Sequence, residues 1–372
     1  MSFTANRAWF FFSLLKISYM LVAVFILSNY IPLGDTKAYI EGVHSNVGRE
    51  NWLLSSTMMM DFFASSFNKL LGSTLANLPF VLLSIYGLYY AISRITLTKK
   101  QLILLLALLS LPSFGVWTSI ASKEAVSVFY LGIILGFIID LIKNNPKKNL
   151  LLVCVAFYLC SVFKPQYLIG ISALLVYFYV AKIFSLKAFG KVILLMLFFV
   201  CSFLVLYLFR SEINELSFIM PNHFRLDAGS TRENTIWVDD FDVFWNAPYG
   251  MYIAFVGPTV AEAFSKPTHL VAWLESMFIL VVFFIALLKL SMISYKTGRL
   301  NVYFGGLFLT VTLWILFVHY PFGVLNPGSA IRYREGFYSF LVILFYFLYI
   351  ESLNRYSGFV KYNASSNKAK YN

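Results

Sequence analysis

Charge is scarce in this sequence: 12% of its 372 residues are Asp, Glu, Lys or Arg, against 60% hydrophobic residues. A water-facing fold of that length needs far more polar surface, so an ordinary globular protein is excluded and a polytopic membrane protein is implied. Cysteine is rarer still. Cys154, Cys160 and Cys201 each fall inside an apolar run, which suggests neither a disulfide framework nor a metal site. The four histidines, His44, His223, His269 and His319, share no helical spacing and no zinc signature, so no metal ligand is assigned among them. There is no Gly-rich phosphate loop, no nucleophile elbow, no kinase-type set and no internal repeat.

What the sequence has is long apolar runs. They predict an all-α polytopic membrane protein of about ten spans, near 12–33, 70–93, 101–119, 125–142, 149–163, 166–184, 191–209, 269–290, 301–320 and 336–352. The first run is long and begins after Arg7, so it reads as a retained anchor rather than a cleaved signal. The net charge of +12 is explained by orientation. With the N-terminus cytoplasmic, every inside connection is basic: Arg94, Lys99 and Lys100; Lys143, Lys147 and Lys148; Lys187 and Lys191; Lys296 and Arg299; and the tail with Arg355, Lys361, Lys368 and Lys370. Arg7, Lys16, Lys182 and Lys289 lie on or near the same side, and of the acids only Asp140 and Glu351 join them. That is the positive-inside pattern and not a nucleic-acid surface.

The reading is thus one helical domain over 1–355 and a loose, polar cytoplasmic tail over 356–372. The inside loops are short. The outer loops, about 34–69, 210–268 and 321–335, carry the polar candidates. Leu53 to Phe67 is long enough for a helix lying at the interface, and the apolar stretch through Tyr249 to Phe264, broken by Pro248, Pro258 and Pro267, suits an interfacial or re-entrant helix. Asp239, Asp240 and Asp242 form either an acceptor-recognition patch or a solvated face.

Five outer-face residues stand out. In Asn326-Pro327-Gly328-Ser329-Ala330-Ile331-Arg332-Tyr333-Arg334-Glu335, Asn-Pro-Gly favours a turn and extended backbone, and on extended backbone Arg332 and Arg334 would form a guanidinium clamp for a phosphate or carboxylate. The plainer alternative is an interfacial pair, with Arg332 reaching Glu335. Asp35, straight after the first span, is either a base for an acceptor hydroxyl or a helix cap for the segment from Thr36. Lys123 with Glu124 follows Pro112 and Ser122. The pair either faces a cavity, or snorkels (Lys123) and complements the helix dipole (Glu124). Lys164 follows a run of 15 residues, about 22 Å of helix, shorter than the roughly 30 Å hydrocarbon layer. A lysine at that depth beside a helix break is a functional candidate, or else snorkels past a bent loop.

Together these pieces resemble the polyprenyl-phosphate-dependent membrane glycosyltransferases of the GT-C type, and similar O-antigen polymerase-like proteins of bacterial polysaccharide assembly. The resemblance rests on Asp35 with Tyr39, on the Trp-x-Ser-x-x-x-Lys-Glu core from Trp117 to Glu124, and on Lys164-Pro165-Gln166. It rests also on Asn326 to Arg334, similar to an Asn-x-Gly-Thr-Ala-x-Arg-x-Arg pattern with Ser329 in place of Thr. It implies a glycosyltransferase or polymerase of the bacterial inner membrane that uses a polyprenyl-linked sugar donor and a glycan or lipid-linked acceptor at the outer leaflet. By position Asp35 is the catalytic base, Lys123, Lys164, Arg332 and Arg334 hold the lipid phosphate, and Glu124, Tyr39 and Asn326 support the acceptor or the site. No cofactor is implied, and the need for a divalent cation stays open. Partners are membrane lipid and other polysaccharide-assembly membrane proteins, with no nucleic acid. Two other classes compete: a lipid-linked sugar or small-anion transporter or flippase, and a non-catalytic scaffold of an assembly complex.

Overall fold

The computed structural model describes residues 3–43, 52–145, 149–223, 231–297 and 302–370. His44, Arg49, Glu50, Lys147, Lys148 and Arg299 lie outside them, as do the side chains of His223, Lys296 and the residues from 355 onward. Among the described residues every regular element is a helix. The chain opens with α1 (Phe3–Phe25), α2 (Thr36–Glu41), α3 (Ser56–Leu75) and α4 (Leu78–Ile92). It continues through α5 (Lys99–Leu108), α6 (Pro112–Trp117), α7 (Lys123–Ile142), α8 (Leu150–Phe163), α9 (Pro165–Ile183) and α10 (Ala188–Leu208). The helices α11 (Arg210–His223), α12 (Asp242–Trp245), α13 (Ala247–Val256) and α14 (Val260–Ala263) precede the last three, α15 (Pro267–Thr297), α16 (Val302–Gly323) and α17 (Pro327–Lys370).

Among the described residues seven helices are long and apolar enough to cross a bilayer, at Asn6–Asn29, Lys123–Ile142, Pro165–Ile183, Ala188–Leu208, Pro267–Tyr295, Val302–Gly323 and Pro327–Asn354. The pair α3 and α4, bent by 97°, makes an eighth if it is counted as one span. The protein is a multi-pass, all-α membrane protein. Of the expected spans, about ten, three do not form a single straight helix of span length, each for a local reason. Residues 101–119 split at Ser110-Leu111-Pro112, where Pro112 starts a new helix at a position that needs no backbone donor. The resulting α5 and α6, of 10 and 6 residues, are each far short of a bilayer. The 14 residues of α8 stop at Lys164-Pro165, and the 70–93 run is interrupted by Gly72 and the turn at Ala76 and Asn77. The expected interfacial helix corresponds to α3, nearly perpendicular to α4. The Tyr249 to Phe264 stretch becomes two short helices, α13 and α14, separated at Gly257. The tail, expected to be loose, continues α17 as helix to Lys370.

The centre of the bundle is α7, buried along most of its length and packed against α4, α8 and α17. Its approach to α4 runs through glycines. A Cβ added at Gly132 would overlap the backbone of Gly87, so these two positions let the helix axes close in, as small residues do between membrane helices. At the opposite extreme α10 buries no residue fully: it lays one face, with Leu194 and Leu195, against α9 and α16 and leaves the rest of its apolar surface exposed. A second packed layer forms where α13 and α17 meet α16, and Trp237 from the preceding loop is buried there with its indole N–H donating to the Tyr320 hydroxyl at 2.6 Å.

Candidate functional site

The site is built at the start of α17. Asn326 caps that helix by accepting the backbone N–H of Ser329 on its Oδ1 at 2.9 Å, and Pro327 takes the first helical position. Asn-Pro-Gly therefore opens a helix here, not an extended turn, and the expected clamp is corrected. Side chains two apart on a helix diverge by about 200°. Arg332 and Arg334 accordingly serve different places.

Arg332 reaches out of α17 between two carboxylates. Its Nη2 donates to Asp35 Oδ2 at 3.0 Å. Its Nε lies 3.3 Å from Glu124 Oε1, close enough for an ion pair but not aligned as a hydrogen bond. The guanidinium also lies 5.6 Å from the Trp117 ring and 5.5 Å from that of Tyr333. Gly34 makes room for it. At φ +59° that residue is in the left-handed region, and a Cβ there would overlap the guanidinium itself.

Asp35 occupies the N-cap position of α2 but makes no capping bond with its side chain. Its carboxylate instead holds Arg332 and accepts from the Tyr39 hydroxyl at 3.4 Å. Partial burial alone would raise the Asp35 pKa. The neighbouring Arg332, and after it Lys123 and Tyr39, outweigh burial and hold the carboxyl below its ordinary value. Tyr39 moves the other way, because burial and then the Asp35 charge both disfavour a phenolate, so it remains a neutral donor.

The other wall comes from the start of α7. Ser122 caps that helix by accepting from the Ala125 N–H at 3.1 Å, which puts Lys123 and Glu124 in its first turn. Lys123 donates to Thr57 on α3 at 2.8 Å. Glu124 is 3% exposed, and its Oε2 has no hydrogen-bond partner among the described residues. Lys164 completes the ring from the junction of α8 and α9. Its ammonium lies 4.8 Å from the Tyr333 ring centre and 5.3 Å from that of Phe322. No carboxylate lies within ion-pair distance of it among the described residues.

The structure thus brings together Asp35, Tyr39, Lys123, Glu124, Lys164 and Arg332, with Asn326 below as the cap. Arg334 is not among them. It is 1% exposed and satisfied on the far side of α17, where it donates to Glu335 Oε1 at 2.7 and 3.0 Å, to the Phe255 carbonyl at 2.9 Å and to Ser276 Oγ at 2.6 Å. The alternative pairing of Arg332 with Glu335 is also replaced, since Glu335 belongs to Arg334.

Several residues that shape the site have no place in the sequence reading. Lys16, expected near the cytoplasmic boundary, is 1% exposed inside the bundle. It donates to the carbonyl of Thr118 at 2.8 Å and to its hydroxyl, fixing the end of α6 next to Trp117, whose ring lies against Arg332. The signal was present: α1 begins near Phe3, so Lys16 lies well inside the first span, where a lysine is a functional candidate by default. Arg232 is bidentate to Glu262 at 2.7 Å on each arm, and donates to Gly257 O at 2.7 Å and Val324 O at 2.8 Å. Its own N–H meets Leu325 O at 2.7 Å. That set bolts the long loop to the break between α16 and α17, one residue before Asn326. Of the acidic trio, Asp242 accepts two loop N–H groups and Asp240 accepts from Asn214, so both are engaged in holding the loop.

No family model, curated protein or solved structure matches the chain. The geometry stands alone. Three cations surround two carboxylates, with aromatic faces beside them, and among the described residues neither ammonium lies within ion-pair distance of a carboxylate. Among the described residues no cluster of three His, Cys, Asp or Glu is placed to hold a metal. The arrangement suits an anion that brings its own oxygens, and Arg332 presents the planar fork that a phosphate engages two oxygens at a time.

Proposed function

We propose that the protein is a membrane glycosyltransferase or polysaccharide polymerase that uses a polyprenyl-phosphate- or diphosphate-linked sugar at the outer leaflet of a bacterial inner membrane, for surface polysaccharide assembly. The observation that carries this reading is the convergence of Asp35, Lys123, Lys164 and Arg332 around Glu124 at one end of the bundle, from four separate parts of the chain. Arriving phosphate oxygens take Arg332 away from Asp35 and occupy the unpaired ammonium of Lys164. Asp35 is then a free carboxylate beside the sugar. The acceptor hydroxyl gives its proton to Asp35 as its oxygen bonds to the anomeric carbon, and the bond from that carbon to the phosphate oxygen breaks. The phosphate leaves as an anion that the three cations stabilise more strongly as its charge grows.

The test is an assay of the purified protein with a lipid-linked sugar and an acceptor. Asp35→Asn is expected to abolish turnover while retaining lipid-phosphate binding. An Asp35→Asn protein that turns over normally sinks the proposed base.

One observation favours a second reading, a transporter or flippase of a lipid-linked sugar or small anion. Lys16, Glu275, Arg334 and Glu335 lie buried roughly 10–15 Å along their spans, and such interior ions are a mark of transport pathways. The same preparation in vesicles distinguishes the two: movement of the lipid-linked sugar across the bilayer with no new glycosidic bond selects transport.

A further inference from the structure

At the end of the bundle remote from Asp35, a half-open groove of about 530 Å³ runs between α1 and α5. Its floor is the buried pair Phe12 and Leu106, at 4% and 5% exposure, and its walls are the exposed apolar side chains Phe11, Leu15 and Ile103. Its mouth carries two cations, Arg7 and Lys99. Arg94 is paired with Asp140 at 2.7 Å, and Lys143 donates to the Arg94 carbonyl at 3.0 Å. The groove closes at Ser110, whose carbonyl accepts from Tyr19 and whose hydroxyl donates to Leu106 O. From Lys99 to Ser110 the chain climbs about 16 Å at helical rise, enough to lay most of an acyl chain along it.

We propose that this groove binds an anionic phospholipid, with its phosphate at Arg7 and Lys99 and one acyl chain over Phe12 and Leu106. A hydrocarbon lining alone would accept any lipid. The two cations at the one polar end make the choice of headgroup, since each basic side chain near a bilayer surface contributes about a factor of five toward an anionic lipid. The proposal is independent of the chemistry at Asp35.

The test is native mass spectrometry of the full-length protein, exchanged between phosphatidylglycerol and phosphatidylcholine of identical chains. A retained adduct that prefers phosphatidylglycerol by about thirtyfold is expected. The double variant Arg7→Ala/Lys99→Ala should lose that preference, and Arg7→Lys/Lys99→Arg should keep it. Ala107→Trp, which fills the groove from an exposed position, should lose the adduct itself while the protein stays monodisperse. Equal retention of the two lipids, or a preference that survives the alanine pair, overturns the proposal. Loss of the adduct on adding millimolar inorganic phosphate also overturns it, because the site would then take free phosphate and not a lipid.

Discussion

Arg332 and Arg334 are two residues apart on one helix, yet they live in opposite chemical situations. Arg334 is closed in, with four hydrogen bonds to Glu335, Ser276 and the Phe255 carbonyl, and no surface for a ligand to approach. Arg332 is shared between two carboxylates that it satisfies incompletely, beside a half-buried ammonium that lies against two ring faces and, among the described residues, has no carboxylate within ion-pair distance. A buried and saturated charge holds a fold together, whereas one left short of partners is held ready to exchange them. The difference separates structure from chemistry among groups of the same type on the same turn.

Removing each arginine in turn tests that contrast most severely. Arg334→Ala should leave Glu335 buried without its partner, at a cost of about 3–5 kcal/mol. The expected result is a sharp fall in the thermal unfolding temperature in detergent and in the amount of protein inserted. Arg332→Ala leaves Glu124 without an ion pair that is not aligned as a hydrogen bond, so it should lower the unfolding temperature less than Arg334→Ala does, keep insertion, and abolish polysaccharide formation, a loss of about 10²–10³ in rate. If Arg334→Ala were stable and inactive while Arg332→Ala were active, the two roles would have to be exchanged.

Lys164 sharpens the comparison one step further. Lys164→Gln removes the charge but keeps a polar tip between Phe322 and Tyr333. A hydrogen bond to a charged group contributes about 1.5–3 kcal/mol, so the apparent KM for a lipid-phosphate donor should rise roughly tenfold to hundredfold. An unchanged KM would assign Lys164 to packing on those rings.

The all-α membrane fold is legible in hydropathy alone, because apolar runs of span length have no other stable form. Asp35, Lys123 and Lys164 were legible as polar residues at the ends of apolar runs. What misled was local chemistry with two meanings. Asn-Pro-Gly is a turn signal, but Asn is also a good helix cap and Pro a good first helical residue, and the long apolar segment after Glu335 let the helix win. Length misled in a second way: an apolar run of 19 residues was counted as a span although Pro112 divides it. Arg232 and Glu262 are not legible as site supports, since they meet across 30 residues only in the packed bundle, and Lys16 is legible as a lysine within a span while its partner Thr118, 102 residues on, is not.

The smallest expected effect concerns the Asp35 to Arg332 pair itself, and its sign is fixed by the direction of the Asp35 shift. The folded-state pKa of Asp35 lies below its ordinary value of about 3.9, so the pair's contribution to stability is fully present above that value. It is lost only as pH falls through the lower folded-state value. Because the Asp35 side chain is 54% exposed, that contribution should be under about 1 kcal/mol. The difference in unfolding temperature between the parent and Asp35→Asn should therefore be small and constant from pH 8 to pH 5, and begin to close only in stronger acid. A difference that closed between pH 7 and pH 6 would mean that Asp35 takes up its proton near neutrality. Arg332 would then be too weakly engaged with it for an arriving phosphate to have anything to displace.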